Sequence, residues 1–142
     1  MGRFEDEYMD VLQNIEFALV SMYQQYPEMT DWDAMEVVKG LIRTYKAERD
    51  GRPAPMLRLG PLAQEAYEFV RTMCEWRLGR QPLELERETE QGPEEFALDV
   101  GEGAITLDEM IACLQRVLNS IEHWNKRMGR RGYFDFMSQF VR

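Results

Sequence analysis

The sequence predicts a mainly α fold: an irregular up-and-down bundle of four main helices plus a short C-terminal helix, with a possible small β-hairpin between helices three and four. Three observations point there. Apolar residues recur every three or four positions through four long stretches. Those stretches are punctuated at Pro27, Asp50-Gly51, Gly79 and Gly129. The chain has 142 residues, 44% hydrophobic and 30% charged. That suits a single domain over 1–142, able to bury about 70% of its unfolded surface.

The first helix runs from about Phe4 to Tyr26. Phe4, Tyr8, Leu12, Ile15, Leu19, Met22 and Tyr26 share one face, and Glu5, Asp6, Glu7 and Asp10 crowd its positive end. The second starts at Thr30, with Asp33 placed as a capping-box partner. Its stripe is Met35, Val38, Leu41, Ile42 and Tyr45, and Asp50-Gly51 stops it. Arg52-Pro53-Ala54-Pro55 must be loop. Pro61 suits the first turn of a third helix ending at Leu78, with Leu62, Ala66, Phe69, Val70, Met73 and Trp76 expected inside.

The period then changes from about 3.6 to 2. Leu83 and Leu85 alternate with Glu84, Glu86, Glu88 and Glu90, and Phe96, Leu98 and Val100 alternate after Gly92-Pro93. The acidic segment 80–104 is therefore either a short hairpin or an irregular acidic loop, since an isolated hairpin is marginal. Ile105, Thr106, Glu109 and Met110 form a staple around a capping box. They launch a fourth helix to about Met128, with Met110, Leu114, Val117, Ile121, Trp124 and Met128 inward. A short apolar helix from Tyr133 to Val141 follows Arg130-Arg131-Gly132.

Charge narrows the function. The 17 cations against 26 acids give a net charge of -9. A duplex or an anionic membrane surface needs a basic face to meet it, so neither nucleic acid nor membrane is an expected partner. No apolar run approaches the roughly 20 residues of a membrane span. The start, Met1-Gly2-Arg3-Phe4-Glu5, lacks the basic-then-apolar pattern of a signal peptide. Two cysteines, Cys74 and Cys113, make neither a disulfide framework nor a zinc pattern. A cytoplasmic protein is the expectation.

Catalytic and metal chemistry find no foothold. The single histidine, His123, falls on the polar face of the fourth helix, and no Glu-x-x-His spacing exists. In 99–110, the third, fifth and twelfth places of a calcium loop hold Gly101, Gly103 and Met110 instead of oxygen ligands. Those glycines suit tight turns better than a phosphate loop, because Glu102 would repel phosphate. The glutamate row 84–90 offers no contrasting environments to separate pKa values. No catalytic residue, metal or cofactor is expected.

Two features suggest a partner. Met9, Phe17 and Val20 sit away from the main stripe of the first helix, as at an interface or in a central helix. Lys126, Arg127, Arg130 and Arg131 form a basic cluster running into Tyr133, Phe134 and Phe136. Arg131-Gly132-Tyr133 opens like an RNA-recognition consensus, but Phe134 and Asp135 break it. By segment the net charge is -4 over 1–60, -7 over 61–103 and +2 over 104–142, counted from the sequence. Complementary ends of this kind can steer self-association.

The stretches Asp-Val-Leu-Gln-Asn-Ile-Glu (10–16), Cys-Glu-Trp-Arg-Leu-Gly-Arg (74–80) and Gly-Tyr-Phe-Asp-Phe-Met-Ser-Gln-Phe (132–140) resemble segments of a small uncharacterised bacterial family of helical proteins. The resemblance implies no activity and no catalytic residues. The leading expectation is an interaction or scaffolding domain, a homodimer through apolar helix surface. A ligand-binding or regulatory protein is the alternative, with Arg77 and Asn125 projecting into an interhelical pocket.

Overall fold

The computed structural model describes residues 3–140, and the side chains of residues 8–140. Four long helices form close to their predicted ends: α1 (Arg3–Gln25), α2 (Asp31–Arg49), α3 (Pro61–Arg77) and α4 (Leu107–Met128). A short α5 (Gly132–Met137) follows, so Val141 lies outside the described residues. Phe4 is likewise outside the described side chains. Between α3 and α4 the acidic segment is a hairpin of β1 (Leu83–Thr89) and β2 (Gly92–Leu98), antiparallel, with Leu83 opposite Leu98 and Thr89 opposite Gly92. The chain turns through Glu90-Gln91, two residues earlier than the expected Gly92-Pro93.

Local chemistry sets the helix starts. At α4 the Thr106 amide donates to the Glu109 carboxylate at 2.8 Å, and the Glu109 amide returns a bond to the Thr106 hydroxyl at 3.2 Å. At α2 the Thr30 amide and hydroxyl both donate to Asp33, at 2.9 and 3.2 Å. These boxes satisfy backbone donors that the first helical turn leaves open.

Side-chain pairs fix the helix directions. Tyr8 bonds Glu109 and Arg49 approaches Asp108, so the start of α1, the end of α2 and the start of α4 share one end. Thr44 meets Tyr67, Tyr45 meets Glu75 and Glu48 meets Arg80. Later residues of α2 thus face later residues of α3, and the two run in the same direction. The bundle's irregularity lies here, since strict alternation would oppose them. Residues 50–60 make the return possible. Eleven extended residues reach about 36 Å, enough to retrace the roughly 28 Å of a 19-residue helix. Leu57 lies against Gly40 on the way, where an added Cβ would come within 3.1 Å of it.

Packing corrects three expectations, one of them Met128, which was expected inward at the end of α4 and is 47% exposed. The inward face of α3 is Ala63, Ala66, Tyr67, Val70 and Cys74, whereas Phe69 is 46% exposed. The apolar residues of α3 spread over two stripes at helical spacing, and the hairpin covers the outer one only at Trp76, whose indole donates to the Leu98 carbonyl at 2.9 Å. Val20, expected at an interface, is fully buried. Because α1 packs against α3, α4 and α5, its buried arc spans about 200° of the helix and Val20 closes its edge.

At the opposite end, four elements converge on Asp31. Its buried carboxyl group accepts from the Tyr23 hydroxyl (2.5 Å), the Asn125 amide (3.1 Å) and the Tyr133 backbone amide (3.0 Å). Its own backbone amide donates to the Arg130 carbonyl at 3.0 Å. Gly132 lets α5 begin hard against α4, where any Cβ would sit 2.2 Å from the Trp124 carbonyl oxygen. Asp31→Ala strands three buried donors at about 1–3 kcal/mol each, so an overall loss of about 3–5 kcal/mol is expected. Asp31→Asn, which keeps one acceptor, should lose about half as much. Urea unfolding midpoints at constant m-value check both.

Candidate functional site

The most prominent candidate surface lies at the Asp31 end. Trp32 follows the inward-facing Asp31 on the first turn of α2, so its indole points out and is 57% exposed. Thr30, Trp32 and Arg130 line an open cleft of about 380 Å³. The Asp31–Arg130 backbone bond holds the 129–131 turn beside it. Lys126, Arg127 and Met128 in the last turn of α4 and Arg130 in the turn after it are exposed.

Arg131, expected among the free cations, is instead a clamp. Its guanidinium donates to the Met29 carbonyl (3.0 Å) and the Tyr23 carbonyl (3.1 Å), and lies 4.4 Å from the Phe134 ring centroid. The carbonyls left open where α1 ends and α2 has not begun are what recruit it. Beside this clamp, Trp124 stacks on Phe136 at 3.9 Å and Phe136 meets Phe140 edge-on. The aromatic cluster after the basic residues thus docks α5 onto α4.

The second candidate surface is the hairpin, whose two faces differ in chemistry. Leu83 with Leu98 and Leu85 with Phe96 share one face, and Arg87 lies 5.1 Å above the Phe96 ring while pairing with Glu94. Glu84, Glu86, Glu88 and Glu95 occupy the other, with Glu86 directly opposite Glu95. Like charges in that position repel across the ribbon. Gly92, at φ +109°, makes the tip turn tight, and the Thr89 hydroxyl donates to the Gly92 carbonyl at 2.7 Å.

Neither proposed pocket residue opens onto a ligand. Arg77 is buried and ties three segments together, donating to Asn14 (3.3 Å), Asp10 (3.0 Å) and the Gly103 carbonyl (3.0 Å). Its Nε is buried without a hydrogen-bond partner. Asn125 donates to Asp31 and to the Gly129 carbonyl, so it closes α4. Both are polar residues on apolar faces because they serve as cross-links, which spacing alone does not distinguish from ligand contacts.

A smaller cleft of about 280 Å³ separates α1 from α4 and includes Glu16, Arg116, Asn119 and Ser120. Burial pushes the Glu16 carboxyl up from its ordinary value, against a hydrogen bond donated by the Tyr133 hydroxyl at 3.0 Å. Sequence reasoning missed Glu16, because only the fold brings Tyr133 to it. Burial drives the Cys113 thiol up to about 11 and Cys74 higher still, so both stay protonated and unreactive near neutrality. His123 is exposed, edge-on to Trp124. Among the described residues, no group of three or more acidic, histidine or cysteine side chains is placed to hold a metal ion, and no helix is long and apolar enough to cross a membrane.

No protein-family model matches the chain, and neither a curated protein nor a solved structure matches it. Function must therefore be argued from these surfaces.

The Glu16 cleft makes a pH prediction. A carboxyl whose folded pKa is raised contributes most below its unfolded value, and that contribution is lost as pH rises through the folded pKa. Glu16→Gln keeps an acceptor for Tyr133 and cannot ionise. The variant should be more stable than the parent at pH 7, with the advantage vanishing toward pH 4. Paired urea titrations at the two pH values measure it.

Proposed function

We propose that this chain is a cytoplasmic protein–protein interaction domain that self-associates and carries no catalytic chemistry of its own. The observation that carries this reading is the exposed Trp32 beside Arg130, lining a preformed cleft on a rigid helix end. Trp and Arg dominate the energetics of protein contacts, because each combines large apolar area with a directional polar group. The exposed part of the indole leaves apolar area and an N–H for a partner to cover. The first helix offers less: Met9 (44% exposed) and Phe17 (38%) lie two turns apart with exposed Gln13 between them. Self-association through α1 thus has little continuous apolar area to use.

A second reading rests on the Glu16 cleft. Its raised carboxyl, with Arg116, Asn119 and Ser120 nearby, has the polar convergence of a small-molecule site. The cleft is shallow and small for that role, which places this reading second.

Sedimentation velocity across the micromolar range tests the leading proposal. The weight-average mass should rise with concentration. Trp32→Ala should weaken the association at least tenfold, about 1.4 kcal/mol. A strict monomer at every concentration overturns the proposal.

A further inference from the structure

The two candidate surfaces sit at opposite ends of one bundle and carry opposite charge. The hairpin leaves from the end where Ile105 bonds the Arg77 carbonyl and Tyr8 meets Glu109. The Trp32 cleft lies at the other end, with Asp31, Asn125 and Tyr133. Residues 83–98 hold six glutamates and one arginine, whereas 126–131 hold four cations and no acid. Seven-residue strands rise about 24 Å. The hairpin meets the helical body chiefly through α3, so its tip stands clear of the bundle.

We propose that the occupant of the Thr30–Trp32–Arg130 cleft is the hairpin tip of a second copy of this chain, an inference that rests on the self-association reading above. The tip matches the cleft in size and chemistry. A turn of two residues is narrow enough to enter a cleft of about 380 Å³ that would not admit a helix. Pro93, exposed beside the turn, supplies a rigid apolar ring for the Trp32 face. Glu88 and Glu90 bring carboxylates to Arg130 and Arg127, whose guanidinium groups recognise them bidentately. Cations arriving from a partner also offset the repulsion between Glu86 and Glu95.

Tip and cleft are different surfaces at opposite ends, so one contact leaves a free tip on one copy and a free cleft on the other. An antiparallel pair closes both contacts at once in a two-fold dimer, and any other docking direction continues to rings or chains. A basic segment of an unrelated protein would also suit the hairpin, but it would leave the cleft unfilled. One interaction between copies accounts for both surfaces.

Two variants test this. The tip variant combines Glu88→Lys with Glu90→Lys, and the cleft variant combines Trp32→Ala with Arg130→Glu; far-UV circular dichroism verifies that each is folded. Each variant alone should sediment as a monomer where the parent forms a dimer or larger species. Mixed in equal amounts they should form a one-to-one pair and nothing larger, because one supplies an intact cleft and the other an intact tip. On the unmodified chain, the association constant should fall at least about tenfold from low to high salt, since the contact is charge-assisted. If the parent associates but the variants associate equally well, or if their mixture stays monomeric, the tip-in-cleft contact is overturned and self-association by another surface stands. A monomeric parent overturns both.

Discussion

The packing of this protein depends on how one buried carboxyl group is satisfied. Asp31 has no water to turn to, and each hydrogen bond it accepts comes from a different part of the chain: Tyr23 in α1, Asn125 in α4 and Tyr133 in α5. Burial and the Asp31 acceptor hold the Tyr23 phenol far above its ordinary pKa, so it remains an O–H donor at any pH the fold survives. The same residue opens α2, where the helix dipole favours an acid. Removing the carboxylate instead strands the donors of three elements together, so α1, α4 and α5 are tied to the start of α2 as a set.

That set also explains the outward chemistry of this end. Asp31 and Trp32 are adjacent on the first turn of α2, about 100° apart around the helix, and Asp31 takes the inward position while the Trp32 indole is left at the surface. The Arg130 carbonyl is held by the Asp31 amide, which leaves the Arg130 side chain beside the indole. Arg131, one residue on, is drawn in to cap the open carbonyls of Met29 and Tyr23. Neighbouring arginines thus divide between exposed and structural roles for reasons of backbone geometry.

Much of this was legible in the amino-acid order and some was not. The capping boxes at Thr30 and Thr106, the helix ends and the period-two segment are local signals, and each forms where its residues require. On α3 the expected burial of Ala66, Val70 and Trp76 holds, whereas Phe69 lies outside and Ala63, Tyr67 and Cys74 complete the inward face, because the apolar residues of this helix cover two adjoining stripes and spacing does not say which one packs. Arg77, Asn125 and Arg131 were legible as unusual, but the most distant partner of each lies 67 to 108 residues away, beyond any local pattern. The shared direction of α2 and α3 was hidden for the same reason, since loop 50–60 permits either sense.

The reach of the Asp31 bonds has a kinetic side. Two of its three partners are 94 and 102 residues distant in sequence, so closing that network requires ordering most of the chain first. Bonds of that kind are expected to close late, on the native side of the folding transition state. Their energy therefore appears in the unfolding rate and hardly in the folding rate. The Asp31 end acts as a latch: it does little to guide the chain into its fold, and it governs how long the fold persists once made.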